Sequence, residues 1–242
     1  MKIFVVKNYE ELSQMAADLV AKEMAAKDPI VLGLATGSTP EGMYEILARM
    51  YDQGKLDFSH VTSFNLDDYL GIDENNDQSY RYFMNKHLFS KVNIKKENTF
   101  VPPAMTKDPT QAGLDYDQKI LDAGGIDLQI LGIGINGHIG FNEPGPAFVG
   151  PTHGIKLTEE TIKANSRFFE SIDDVPREAI TMGMKSILNA RKIILVANGK
   201  NKADAIFKTV KGPITPEVPS SILQLHNDLT IIVDEEAASM LK

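Results

Sequence analysis

Short apolar runs separated by longer amphipathic stretches recur along the chain. Residues 3–6, 29–34, 61–66, 126–131, 192–197 and 229–233 are each rich in Ile, Val and Leu, with little alternation of polar positions. Runs of that length and character predict strands covered on both faces. The stretches between them carry helical periodicity and start signals. Asn8-x-x-Glu11 forms a capping box that opens a helix to about residue 26. Thr39 as N-cap with Pro40 at the first helical position starts another, reaching about residue 51. Ser79 caps a helix to about residue 89, and residues 109–121, 182–190 and 200–210 read as further helices. Residues 99–101 make a short strand, 158–165 a short helix, 219–225 a helical turn, and a short helix ends the chain. Strands alternating with helices predict an α/β fold: a doubly wound, mostly parallel sheet with helices on both faces. Neither a repeat nor a linker interrupts the pattern, so residues 1–242 are expected to form one domain.

In such a sheet the loops at the carboxyl ends of the strands gather along one edge, where ligands bind. The polar stretches after Leu34, Leu66, Leu131 and Ala197 should therefore meet. The first of them, Thr36-Gly37-Ser38-Thr39, offers hydroxyls and free backbone N–H groups at a helix start, a ready phosphate site. It is not a Walker loop, since no Gly-Lys-Ser/Thr follows. A plain capped turn would look the same locally. The second stretch places Asp67 and Asp68 at a strand end. Adjacent side chains point apart, so one carboxylate can face a ligand while the other caps or pairs nearby; two solvated turn acids are the bland alternative.

The third stretch is the densest. Within residues 132–143 stand four glycines, two asparagines, His138 and Glu143. Gly132-x-Gly134-x-x-Gly137 matches the dinucleotide fingerprint, but that fingerprint needs a helix straight after its last glycine and an acid about 20 residues on at a strand end. Gly140, Pro144, Gly145 and Pro146 forbid the helix, and Glu159 and Glu160 fall on a predicted helix instead. An acid–base group built from His138, Asn136 and Glu143 fits the residues better, because histidine titrates near neutrality and its ring partners set what it can do. A loop histidine bonded to backbone remains the plain reading. With no His-x-x-x-His spacing and no cysteine, a metal is not expected. Arg167 and Lys202 are further anion-binding candidates; Lys202 lies near a helix start, where a cation opposes the helix dipole unless an anion binds there.

Composition narrows the partners. A net charge of −8 argues against nucleic acid, which calls for a basic face. The opening residues are too short and charged for a signal peptide, no apolar run approaches the ~18 residues of a membrane span, and cysteine is absent. A cytoplasmic protein without membrane contact is expected.

Taken together, these segments resemble the glucosamine-6-phosphate deaminase (isomerising) family, within the wider sugar-phosphate isomerase/6-phosphogluconolactonase group. The matching stretches are Leu34-Ala35-Thr36-Gly37-Ser38-Thr39-Pro40, Phe64-Asn65-Leu66-Asp67-Asp68-Tyr69, residues 132–144, Ala164-Asn165-Ser166-Arg167-Phe168-Phe169, Lys202-Ala203 and Ile222-Leu223-Gln224-Leu225-His226. Gly137-His138-Ile139-Gly140-Phe141-Asn142-Glu143-Pro144 is the most specific of them. The resemblance implies a modified Rossmann-like fold and conversion of D-glucosamine 6-phosphate and water to D-fructose 6-phosphate and ammonia, without metal or organic cofactor. It implies that His138, with Asn136 and Glu143, opens the sugar ring and that Asp67 moves the proton between carbons. It also implies that Thr36, Gly37, Ser38, Thr39, Arg167 and Lys202 hold the phosphate. Many relatives carry Asp where this chain has Asn136, so Glu143 is expected to supply charge and Asn136 orientation. Allosteric hexameric relatives have basic effector residues after the Asn-Glu-Pro segment and a longer carboxyl tail; here residues 145–154 carry neither Lys nor Arg and the chain stops at Lys242. A non-allosteric monomer or small oligomer is expected. The competing readings are a lactonase on the same scaffold, a sugar-phosphate sensor without turnover, and a nicotinamide-dependent dehydrogenase.

Overall fold

The computed structural model describes residues 1–166 and 169–241. In chain order its elements are β1 (Lys2–Val6), α1 (Tyr9–Ala26), β2 (Ile30–Leu34), α2 (Ser38–Asp52), β3 (Val61–Asn65), β4 (Asp67–Tyr69), α3 (Tyr80–His87), β5 (Thr99–Phe100), α4 (Pro109–Asp122), β6 (Leu128–Leu131), β7 (His153–Lys156), α5 (Glu159–Asn165), β8 (Glu178–Thr181), α6 (Met184–Leu188), β9 (Lys192–Ala197), α7 (Ala203–Lys211) and β10 (Leu229–Asp234). Seven strands form one parallel sheet in the order β1-β10-β9-β6-β2-β3-β5. Every residue of β2 and β6 is buried, so both faces of the sheet are covered there, as the unalternating apolar runs require.

Strand order reverses between β2 and β6. From β2 the chain steps outward to β3 and β5; from β6 it steps the other way to β9 and β10. Loops leaving two neighbouring strands in opposite directions open a crevice at their carboxyl ends. At the opposite end of the same pair, Asp127 acts as a bolt. Its Oδ2 accepts the Val31 N–H at 2.9 Å, and its Oδ1 accepts Lys27 Nζ at 2.5 Å and Arg191 Nη1 at 3.0 Å.

Local signals in the sequence account for most element starts. Asn8 Oδ1 accepts the Glu11 N–H at 3.0 Å, while Glu11 reaches back one residue further than a standard capping box, to the Lys7 N–H. Ser79 caps α3 through the Tyr82 N–H, and Thr158 caps α5 through that of Thr161. Three expectations change. Helix α2 starts at Ser38 with Gly37 as its N-cap, so Thr39 lies inside the first turn. Residues 235–240 form hydrogen-bonded turns instead of a terminal helix. And a second, three-stranded antiparallel sheet, β4-β8-β7, stands beside the main one. It has its own small core of Tyr69, Phe141, Leu157, Ile162, Val175 and Ala179. Among the described residues no helix is long and apolar enough to cross a membrane.

The Asp127 bolt gives a direct test of what clamps the central strands. Lys27 and Arg191 have half-exposed side chains, so their ion pairs are screened, and the buried bond to Val31 carries most of the effect. Asp127→Ala should destabilise the fold by about 2–3 kcal/mol, and Asp127→Asn, which keeps an acceptor for Val31, should recover most of that. Urea unfolding, read as a lowered midpoint with unchanged slope, checks both.

Candidate active site

The crevice at the strand reversal is a cavity of about 690 Å³, lined from the loops after β2, β3, β6 and β9 together with α3 and α5. Four groups of residues face it.

On the first wall is the turn from β2 into α2. Gly37 takes φ +101, a left-handed backbone that side chains disfavour, and this lets the chain reverse straight into the helix. The N-cap supplies no side-chain acceptor, which leaves first-turn N–H groups available to an anion. The turn is held by neighbours: Tyr9 donates to the Ser38 carbonyl at 2.9 Å and accepts the Gly42 N–H at 2.8 Å. Thr39 Oγ1 donates to Asn198 Oδ1 at 2.7 Å, and the buried Tyr44 hydroxyl donates to the Ala35 carbonyl at 2.6 Å. Thr36, Gly37, Ser38 and Thr39 all line the cavity.

Lys202 also lines it. It ends a single 3-10 turn, Lys200–Lys202, that follows β9, and its Nζ donates to the Ile133 carbonyl at 2.7 Å. Asp234 braces this loop through the Gly199 N–H at 2.9 Å. Arg167 lies outside the described residues.

The third group is the pair of carboxylates after β3. They do point apart, because Asp67 and Asp68 are successive residues of strand β4. Asp68 Oδ1 accepts the N–H groups of Tyr69 and Tyr80, at 2.8 and 3.0 Å, and so anchors the start of α3. Burial pushes the Asp68 carboxyl up to about 6, against those backbone bonds and the Arg81 charge. Asp67 lines the cavity although only 6 % exposed. Burial, reinforced by the neighbouring Asp68, raises its carboxyl well above the usual range.

The fourth group is the loop after β6, where no helix follows Gly137. The loop turns back on itself instead, with Gly134 N–H donating to the His138 carbonyl at 2.8 Å. Gly134 is a matter of space: a Cβ there would lie 2.4 Å from the His138 ring, so the imidazole packs flat over a bare backbone. His138 Nδ1 sits 3.5 Å from Glu143 Oε2, an ion-pair distance and too long for a good hydrogen bond. The same Oε2 accepts Asn136 Nδ2 at 2.9 Å, while Asn136 Oδ1 accepts the His138 backbone N–H at 3.2 Å. Asn136 thus orients the group through the carboxylate and the loop backbone, and not by touching the ring nitrogen. Glu143 Oε1 accepts the hydroxyl of Thr161 from α5. Burial works to raise the Glu143 carboxyl, yet the facing His138 with Thr161 and Asn136 holds it below the usual range.

Asp67, Asn136 and His138 thus share one cavity with the Thr36–Thr39 turn and Lys202, and Glu143 lies directly behind His138. The sequence gives no role to Thr161, to Asn165, which stands in one of the matching stretches and whose amide donates to the Tyr69 hydroxyl at 2.8 Å, or to Tyr80, whose ring stacks on Phe141. Each reaches the site from an element distant in sequence, and no local spacing marks it. A carboxyl kept protonation-prone by burial beside a histidine–carboxylate pair equips the cavity for proton transfer to and from carbon and oxygen.

The family model for glucosamine-6-phosphate isomerases/6-phosphogluconolactonase matches residues 7–232. The chain is 54% identical over 242 residues to a glucosamine-6-phosphate deaminase of Clostridium perfringens (strain 13 / Type A), covering all of both chains. It is equally identical over 241 residues to one of Clostridioides difficile (strain 630), covering 97% of that protein. Among solved structures, a monomeric glucosamine-6-phosphate deaminase superposes with a TM-score of 0.96 at 44% identity, over 99% of this chain and all of that one. A 6-phosphogluconolactonase from Trypanosoma cruzi, at 21% identity and a TM-score of 0.76 over all of this chain and 97% of that one, shares the fold. The chain belongs to the glucosamine-6-phosphate isomerase/6-phosphogluconolactonase family.

Proposed function

We propose that this chain converts D-glucosamine 6-phosphate and water to D-fructose 6-phosphate and ammonia. The observation that carries this reading is the placement of the desolvated Asp67 carboxyl in one cavity with His138, which Glu143 backs, and with a helix start that has no side-chain cap. In the proposed sequence the phosphate binds the Thr36–Thr39 turn and Lys202, with Arg167 as a further cation. His138 takes the proton of the anomeric hydroxyl and delivers one to the ring oxygen, and the pyranose opens. Glu143 stabilises the imidazolium formed on the way, and Asn136 keeps that carboxylate aimed. Asp67 removes the C2 proton, giving an enol-type intermediate, and returns a proton to C1. The C2 imine then takes up water and releases ammonia.

Full-length similarity to proteins named as deaminases favours this chemistry over lactone hydrolysis on the same scaffold. A lactonase has no need of a base at carbon, whereas burial makes Asp67 a stronger base than a free carboxylate. A sensor without turnover would have no use for the costly burial of that group. We further propose that the enzyme works in the cytoplasm, where phosphorylated sugars are retained, as a monomer or small oligomer without allosteric assembly. The monomeric solved relative supports that state.

Ammonia and fructose 6-phosphate should both appear when the protein is given glucosamine 6-phosphate, and Asp67→Asn should slow their release by about 10²–10⁴-fold. The same variant should be more stable. The Asp67 carboxyl is raised in the folded state, so burying it costs stability in full above that pKa; the cost shrinks as pH falls below it and is gone only below the ordinary carboxylate range of the unfolded chain. Asparagine is neutral throughout, and at neutral pH its melting temperature should be higher by about 2–4 °C or more. Loss of activity accompanied by loss of stability would mean that Asp67 is only structural. For Asn136→Asp, a second carboxylate would stand in place of a donor now 2.9 Å from Glu143. Like charges so close share a proton, so the acidic limb of the pH–rate profile should move to higher pH; an unmoved limb would remove Asn136 from the proton-transfer group. Light scattering should give a mass no larger than a small oligomer, and kinetics should stay hyperbolic; a hexamer would refute that part.

A further inference from the structure

Helix α5 presents Thr161 and Asn165, four residues apart and hence on one face, toward the cavity loops. Asn165 bonds the hydroxyl of Tyr69, the last residue of β4, and Thr161 bonds Glu143. The second contact is the more consequential. Glu143 has a side chain only 4 % exposed, and its two oxygens have different partners: Oε2 faces His138 and takes Asn136, while Oε1 takes the Thr161 hydroxyl. Thr161 is itself buried, and its hydroxyl direction is set from behind, since Thr158 Oγ1 donates to Thr161 Oγ1 at 3.2 Å. With that lone pair used, the Thr161 proton is directed at the carboxylate. Thr158 stays fixed because it is the N-cap of α5, accepting the Thr161 N–H at 3.2 Å.

We infer that Thr161 is a positioning residue for proton transfer: its hydroxyl fixes one oxygen of Glu143 so that the other faces the His138 ring. Resting on the acid–base role proposed for His138, the inference adds an unassigned residue and makes α5 part of the machinery. A carboxylate with a free oxygen would rotate about its last torsion and spend time turned from the ring. The bond also favours the ionised form of Glu143, one of the causes that keep this carboxyl below its usual range. The titratable group facing Glu143 from its own loop is His138. On α5, Glu159 is paired with Arg177 at 2.9 Å, Glu160 lines the cavity, and Lys163 is exposed.

Thr161→Val removes the donor at nearly constant volume, and Thr161→Ser keeps it. The valine variant should lose roughly ten-fold or more in kcat, the weight of one hydrogen bond to a charged group, with KM within about two-fold. Removing a bond that favours the charged form raises the Glu143 pKa, so the acidic limb of kcat should move to higher pH. The serine variant should restore both limb and rate. A valine variant that keeps the wild-type limb, whatever its rate, overturns the inference, because mere packing would not hold a titration in place. Thr161→Ala supplies the same comparison if the valine variant does not fold. Carbon NMR of the Glu143 carboxyl in wild type and variant needs no turnover. An unmoved carboxyl titration sinks the positioning role; a moved titration in a protein that makes no ammonia upholds it and defeats the functional reading alone.

Discussion

The parallel pairing of β2 with β6 is the constraint on which the rest depends. The two strands meet through Leu32 with Leu128 and Gly33 with Gln129, and the chain winds away from that seam in opposite directions. Parallel strands deliver their carboxyl ends to one edge, so the turn after Leu34 and the loop after Leu131 begin side by side and then diverge. The space between them is the cavity. Asp127 holds the far ends of the same strands with a buried bond to Val31, and the near ends carry the short turn into α2 and the long loop after Leu131. The seam also explains why the glycine-rich run after β6 resembles a nucleotide fingerprint. Both need a tight exit from a strand at a reversal point, but here Gly134 makes room for an imidazole and not for a pyrophosphate.

The three-stranded sheet supplies what the main sheet cannot, a means of burying a carboxyl at its rim. Strand β4 leaves β3 after Leu66 and pairs with β8, Asp67 opposite Thr181. Tyr69 packs against Tyr80, Phe141 and Phe169 at ring-centre distances of 5.2, 5.3 and 5.8 Å, and Tyr80 stacks on Phe141 at 5.9 Å. That aromatic body excludes water behind the two aspartates. Keeping them there costs free energy, because each would rather be solvated, and the backbone bonds to Asp68 offset only part of it.

The main sheet is legible because burial on both faces leaves an unmistakable mark: the apolar run 192–197 predicts a strand with the bounds that β9 has. Two helix starts are legible for a similar reason, since Asn8 and Ser79 are side chains whose chemistry satisfies N–H groups three residues ahead. The small sheet is not. Strand β7, His153–Lys156, is only partly buried and reads His-Gly-Ile-Lys, a pattern with no apolar period, and β4 is three residues long and acidic. Such strands exist because of their partners, which are distant in the chain. The site divides along the same line. His138 and Glu143 share a loop and announce one another by spacing. Thr161 approaches Glu143 from a helix 18 residues on, and nothing near either residue marks the other.

Two acidic side chains serve the cavity, and their surroundings push them in opposite directions. Asp67 loses water, gains a like-charged neighbour and rises; Glu143 loses water too, but faces an imidazole and two donors and falls. Identical chemistry in different environments suits the two roles proposed for them: a group that takes a proton at carbon, and a counter-charge that a histidine can use at oxygen. The separation is made by topology. Asp67 sits where a strand of the small sheet seals the end of β3, among aromatic rings. Glu143 sits where a loop crosses the start of α5, among hydrogen-bond donors. Exchanging the two residues' neighbourhoods would exchange their chemistry, so the proton inventory of this cavity is written in which elements meet at each carboxyl and not in the carboxyls themselves.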